Sequence, residues 1–151
     1  MVVTTLDKTG LDFIKRHEGL RLTAYRCPAG IPTIAWGQTY YPWGTKVKMG
    51  DKITLQQAED MFKAVLLRYE TLALNVTRDD LRQNQFNALV SFAYNVGTQA
   101  LKNSTLLRKV NNDPDDTTIR NEFGKWVFAN CKILTGLVRR RDEEATLYFT
   151  K

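Results

Sequence analysis

The stretch that decides the fold is His17–Thr39, HEGLRLTAYRCPAGIPTIAWGQT. It begins where a helix should end, because Gly19 directly follows Glu18 and glycine is a favoured C-terminal stop. Pro28, Ala29 and Gly30 then mark a tight turn. That turn folds the segment into a hairpin and brings Thr33 back towards Glu18. Upstream, Thr9 followed by Asp12 resembles a capping box. The helix between Thr9 and Gly19 places Leu11, Ile14 and Glu18 on one face. Its apolar stripe therefore ends on a carboxylate. A carboxyl carried into apolar surroundings is disfavoured in its charged form, and a general acid working near neutral pH needs that bias. A helix-end glutamate paired with Arg21, or with one of Arg139–Arg141, would occupy the same position. Position alone does not separate the two readings.

From Leu20 to Met49 the helical period is lost, and Gly, Pro, Thr, Tyr and Trp dominate. That composition predicts short strands joined by tight turns. Ile31, Thr33 and Ala35 alternate with Pro32, Ile34 and Trp36, as in one strand of a small sheet. Tyr40, Tyr41, Pro42 and Trp43 form an aromatic cluster, expected to pack a lobe whose core is thin. Sugar stacking is the competing reading of the same residues.

Thr54 with Gln57 is a second capping box. It opens a helix to about Leu74, with Leu55, Ala58, Met61, Phe62, Val65, Leu66, Tyr69 and Leu72 on the buried side. About twenty helical residues span about 30 Å, enough to cover a small β region and connect it to the C-terminal half of the chain. The remainder reads as helical. Expected helices run from Arg82 to Asn95 (ended by Gly97), Ser104 to Val110, Asp116 to Trp126 and about Thr135 to Phe149. The predicted architecture is α+β. A β lobe at about 20–53 is joined by the long helix to a helical lobe at about 54–151 plus the N-terminal helix. The whole chain, 1–151, is expected to be a single domain with a cleft between the lobes and Glu18 at its edge.

The 151 residues, 43% apolar and 25% charged, describe one ordinary globular domain. A net charge of +6 favours a negatively charged partner or surface. The basic residues are scattered, apart from Arg139–Arg141, and no nucleic-acid motif is present, so nucleic acid is not expected as a partner. Neither a secretory signal nor an apolar run of about 20 residues is visible, so no membrane insertion is expected. The two cysteines have no metal-ligand spacing and the single histidine cannot build a zinc site or a serine triad. No metal or cofactor is expected.

The quoted stretch resembles the active-site segment of the phage-type lysozymes, the endolysins of the T4-lysozyme-like glycoside hydrolase family. Their pattern is a Glu, eight residues, an Asp or Cys, five residues, then a Thr. Here these are Glu18, Cys27 and Thr33. The resemblance continues through FNALVSFAYNVGTQALKNSTLLRKVN (86–111), FGKWVFA (123–129) and LTGLVRRRDEE (134–144). It implies a lysozyme-like fold and hydrolysis of the β-1,4 bond between N-acetylmuramic acid and N-acetylglucosamine in peptidoglycan. Glu18 would be the general acid, and Cys27 and Thr33 would place and activate the water. Asn95, Gly97 and Arg140 would face the substrate.

Cys27 stands where many relatives have a carboxylate. A thiol is mostly neutral at pH 7 unless something lowers its pKa, and Arg21 and Arg26 are the nearby candidates in sequence. Ala35 and Gln38 stand where relatives often have Gly and His, and Asn130-Cys131 where they often have Gly-Gly. Two lone cysteines in a reducing cytosol are expected to stay unpaired; a Cys27–Cys131 disulfide that closes the cleft under oxidation is the minority alternative. The implied life of the protein is that of a monomer held in the host bacterial cytoplasm and released to the wall through a holin-type lesion, with activity that falls as salt screens its charge. A lytic transglycosylase and a non-catalytic peptidoglycan-binding virion protein are the competing functions.

Overall fold

The computed structural model describes residues 2–129 and 131–151. The chain forms two compact units, Asp12–Arg68 and, in the other, the segment up to Leu11 together with Tyr69–Lys151. Both boundaries fall inside helices: the first and second helices each run through one of them.

Helix α1 spans Lys8–Glu18. Its cap is Asp7 and not Thr9: Asp7 Oδ1 accepts the Gly10 N–H at 3.1 Å, and the Asp7 carbonyl accepts the Leu11 N–H at 3.0 Å. The first turn thus starts two residues earlier than the Thr9/Asp12 spacing predicts. Phe13 and Ile14 are buried. Gly19, at φ 70°, ends the helix as expected.

In the unit 12–68, strand β1 (Arg21–Arg26) pairs antiparallel with β2 (Pro32–Ala35). Tyr25 faces Thr33 and Arg26 faces Pro32, but Arg21 faces Ala35, so β1 bulges between Arg21 and Tyr25. The bulged residues find other partners. Ala24 N–H donates to the Asp51 carbonyl and Ile53 N–H to the Leu22 carbonyl, each at 2.9 Å. The alternation expected of β2 does not hold, because Thr33, Ile34, Ala35 and Trp36 are all buried. Trp36 rests on Phe62, ring centroids 4.9 Å apart, and Lys15, paired to Glu59 at 3.0 Å, sits 4.6 Å from the Trp36 ring and 5.6 Å from that of Phe62. With both sides covered, a strand has no polar face to show. Beyond it, Tyr40 and Trp43 are exposed and do not fill a thin core.

Helix α2 runs Leu55–Val76. Its capping box forms as read: Gln57 N–H donates to Thr54 Oγ1 at 3.1 Å, and Thr54 N–H to Gln57 Oε1 at 2.8 Å. Ala58, Met61, Phe62 and Leu66 are buried, whereas Leu55 and Leu72 are exposed. These two sit near the ends of the stripe, where the drift of a 3.6-residue period carries a side chain off the covered face.

The other unit is built on α3 (Gln83–Val96). Every residue from Gln85 to Ala93 is buried, as for a helix enclosed on all sides. It packs against α7 (Thr135–Phe149), which also packs on α6 (Ile119–Gly124). Phe92 meets Phe123 and Trp126 edge to face at 5.8 and 5.4 Å. Ser104 caps α5 (Thr105–Asn112), accepting the Leu107 N–H at 3.0 Å. Helix α6 starts later than Asp116, because Asp116 Oδ1 takes the Thr118 N–H at 2.8 Å in a turn.

Two elements escape the sequence reading. One is the single-turn helix α4 (Thr98–Lys102). The other is a hairpin, β3 (Phe128–Ala129) with β4 (Lys132–Ile133), in a region read as wholly helical. Each is too short to carry a period. Of the Asn130-Cys131 pair, Asn130 lies outside the described residues. Cys131 is exposed at φ 62°. Among the described residues no helix is long and apolar enough to cross a membrane.

Candidate active site

Glu18, Cys27 and Thr33 all belong to the unit 12–68. Glu18 is the last residue of α1 and half-buried. Its carboxylate lies against the backbone of Gly37. A Cβ added to Gly37 would come 2.7 Å from Glu18 Oε1 and 3.6 Å from its carboxyl carbon. Gly37 also sits at φ 82°, a conformation that L side chains rarely adopt. Two independent constraints therefore require glycine at this position. Sequence reasoning misses Gly37, whose only signal is a glycine between two large residues just after a strand.

The turn of the hairpin is closed by Gly30 N–H donating to the Cys27 carbonyl at 2.7 Å and Cys27 N–H donating to the Ile31 carbonyl at 3.0 Å. This places the Cys27 thiol among donors. The Ile31 backbone N–H, first among them, then the Ala29 N–H and the Thr33 hydroxyl, hold the thiol below its usual value, with burial opposing. The arginines expected to do this are engaged elsewhere. Arg26 donates to the Gly30 carbonyl at 2.8 Å, and Arg21 stacks over Tyr25 at 4.9 Å. Thr33 is 3% exposed, and its hydroxyl donates to the Ile31 carbonyl at 2.8 Å. A hydroxyl has one proton and two lone pairs. It therefore either donates to Ile31, leaving its lone pairs to accept, or turns its proton to the thiolate. Thiol and hydroxyl form one hydrogen-bonding pair on the hairpin. Both cysteines are free.

Asn95, Gly97 and Arg140 belong to the other unit. Asn95 is exposed near the end of α3, and its Oδ1 accepts from the Arg141 guanidinium. Gly97 ends α3 at φ 99°, its N–H on the Ala93 carbonyl at 2.8 Å.

Arg140 departs from the expected substrate contact. It is only 5% exposed, with Nη2 donating to the Ser91 carbonyl at 3.2 Å and Nε to Glu144 Oε2 at 3.4 Å. Arg141 is buried as well, donating to Glu144 Oε1 and, at 3.0 Å, to the Trp126 carbonyl. Ser91 Oγ completes the cluster by donating to the other Glu144 oxygen at 2.6 Å. Of Arg139–Arg141, only Arg139 is exposed, 3.7 Å from Glu143. Glu144 is the fully buried hub of this cluster. Helical spacing i, i+3 and i, i+4 is the same for a solvated pair and a buried one.

The helix-end carboxylate seated on a glycine turn, and the thiol and hydroxyl on the adjoining hairpin, are carried by an α+β, lysozyme-like fold. The chain belongs to the phage lysozyme family, which it matches over residues 15–144. It is similar to the endolysin of Acyrthosiphon pisum secondary endosymbiont phage 1, with 37% identity over 147 residues, 95% of this chain and 97% of the relative. Among solved structures, the endolysin from Escherichia coli O157:H7 phage FAHEc1 superposes with a TM-score of 0.87 at 37% identity, covering 96% of this chain and 93% of the other. The muramidase domain of SpmX from Asticaccaulis excentricus superposes with a TM-score of 0.84 at 31% identity, covering 99% and 100%.

Proposed function

We infer that this chain is an endolysin, a glycoside hydrolase that cleaves the β-1,4 bond between N-acetylmuramic acid and N-acetylglucosamine in peptidoglycan and so lyses the host cell, with residues 1–151 acting as one catalytic domain. The observation that carries the assignment of roles is the seating of the Glu18 carboxylate on Gly37, in the same unit as a thiol whose ionisation is favoured by backbone N–H groups.

Glu18 enters the reaction protonated and gives its proton to the leaving glycosidic oxygen. Water attacks the anomeric carbon from the opposite face. Cys27, as thiolate, takes the proton of that water, and Thr33 holds the water through its hydroxyl. The products are a new reducing end, a Glu18 carboxylate and a Cys27 thiol, and exchange with solvent restores both groups. Inverting glycosidases hold their two groups roughly 6.5–9.5 Å apart to admit the water. General acid catalysis of this kind contributes on the order of 10²–10⁴-fold. Asn95 and Gly97 are the substrate-facing groups of α3. Arg140, buried against Glu144 and Ser91, is instead a structural residue of that cluster.

The +6 charge favours approach to an anionic envelope. In this reading the enzyme works as a monomer, waits in the host cytoplasm and depends on a holin-type protein for release. The deciding experiment is mass spectrometry of peptidoglycan digested by wild type and by Glu18→Gln in parallel. Wild type leaves reducing ends; a lytic transglycosylase would leave 1,6-anhydro ends lighter by one water. Glu18→Gln abolishes product. Near-full turnover by Glu18→Gln would overturn the assignment.

A further inference from the structure

In the unit 12–68, the chain beyond β2 passes through two tight turns that the reaction above does not use. The turn 41–44 closes with the Gly44 N–H on the Tyr41 carbonyl at 2.9 Å, and the turn 48–51 with the Asp51 N–H on the Lys48 carbonyl at 3.1 Å. Gly44 and Gly50, both at φ 96°, supply a left-handed residue to each. A bridge between Tyr40 and Lys46 holds the arms of the first turn together. Asp51 ties the two turns to each other: its Oδ2 accepts the Tyr41 hydroxyl at 2.7 Å and the Lys48 N–H at 3.0 Å. Burial, and then Asp51, push the Tyr41 hydroxyl up to about 12, so it keeps the proton that makes this bond throughout the neutral range.

The clasped turns carry apolar side chains into solvent. Trp43 is 71% exposed, Tyr40 50% and Met49 47%. The Trp43 ring is held in place by stacking on Tyr41, centroids 4.7 Å apart with planes 4° from parallel. Lys46, Lys48 and Lys52 are exposed on the same segment, and Arg68 lines the small cavity beside Tyr40, Tyr41 and Pro42. Asp51, already holding two hydrogen bonds, is the one acid between residues 40 and 52, so the segment is net cationic. Tyrosine and tryptophan settle at the boundary between water and lipid. Lysine stems lie along apolar surface while their ammonium groups reach out to charge, and anionic lipid attracts them. A single-stranded nucleic acid would want open ring faces along a basic groove. Here Tyr41 covers one face of Trp43, and the exposed residues sit on turns.

We propose that the turns 41–44 and 48–51 form a docking surface for an anionic phospholipid bilayer. Trp43 and Met49 enter the headgroup region, and Lys46, Lys48 and Lys52 reach the lipid phosphates. The contact is peripheral. It uses neither Glu18 nor Cys27 and stands independently of the reaction assigned to them.

The test sediments the protein with vesicles of phosphatidylglycerol mixed with phosphatidylethanolamine and, separately, of phosphatidylcholine alone, while indole emission is followed. Binding and a blue shift are expected with the anionic vesicles only, and both decline as salt is raised. Trp43→Ser removes the blue shift and weakens binding roughly tenfold. Lys46→Gln with Lys48→Gln weakens it about 30-fold. Lys102→Gln with Lys132→Gln takes the same charge from exposed lysines of the other unit and weakens it about twofold or less. All of these surface variants keep the wild-type thermal midpoint. Failure to sediment with the anionic vesicles, equal binding to phosphatidylcholine, or equal losses from the two lysine pairs would each overturn the proposal. So would Trp43-dependent binding of a single-stranded oligonucleotide in place of vesicles, or a raised KM of Trp43→Ser on purified walls with vesicle binding intact.

Discussion

Replacing Gly37 by alanine separates two things that glycine does at once. The first is backbone conformation: an L residue at φ 82° costs about 1–2 kcal/mol. In a chain of this size that lowers the melting temperature by about 2–4 °C per kcal/mol. The second is contact. The new methyl stands 2.7 Å from Glu18 Oε1, whereas an ordinary non-bonded approach is roughly 3.5 Å, so the carboxylate must withdraw by about 0.8 Å. Displacement of a catalytic group by about 1 Å costs on the order of 10²-fold, so kcat should fall roughly 30- to 100-fold. Gly50→Ala is the control. Gly50 has φ 96° and nothing within 4 Å of the built Cβ, so it bears the backbone strain without the collision. The assay is kcat on purified cell walls, measured well below both melting temperatures, with calorimetry on each variant. A folded Gly37→Ala enzyme with wild-type kcat, or a Gly50→Ala enzyme impaired as much, would refute the reasoning.

Three further outcomes are expected. On a Cys131→Ser background, alkylation of Cys27 by iodoacetamide should rise with pH at lower values than for a free cysteine, because a lowered thiol pKa populates thiolate earlier; Thr33→Val, lacking one donor, moves the profile back up, and a profile at or above that of free cysteine contradicts the assigned donors. Glu144→Leu should cost ~3–5 kcal/mol in urea denaturation, since it strands two buried guanidiniums; a loss below about 1 kcal/mol means the network matters little to stability. Cys131→Gly should gain about 1 kcal/mol by relieving the left-handed backbone at φ 62°, read as a rise of about 2–4 °C in melting temperature.

What the sequence reveals here is what is local. The Thr54/Gln57 box is decided within a few residues and forms as read; the Ser104 cap, one residue before the helix it opens, is equally local. At α1 two acceptable caps stand two residues apart, and the choice goes to Asp7, which also receives the Asn87 amide at 2.8 Å, a contact 80 residues distant. The same limit explains the site. The Glu18, Cys27 and Thr33 positions come from a short pattern, but the burial of Arg140 and Arg141 depends on Ser91 and Glu144 meeting them across two helices. Gly37 is invisible for a related reason. A glycine that yields space to a carboxylate is defined by neighbours that periodicity does not specify.

The bulge in β1 has a consequence for behaviour in concentrated solution. Two paired strands ordinarily leave two open edges, each a template for another chain. Here the bulged residues of β1 are bonded to Asp51 and Ile53. On the far edge of β2, the Ile34 N–H and carbonyl are both taken by Gln38. Neither edge keeps a free run of backbone donors and acceptors long enough to recruit a foreign strand. This hairpin is thereby closed to edge-to-edge aggregation.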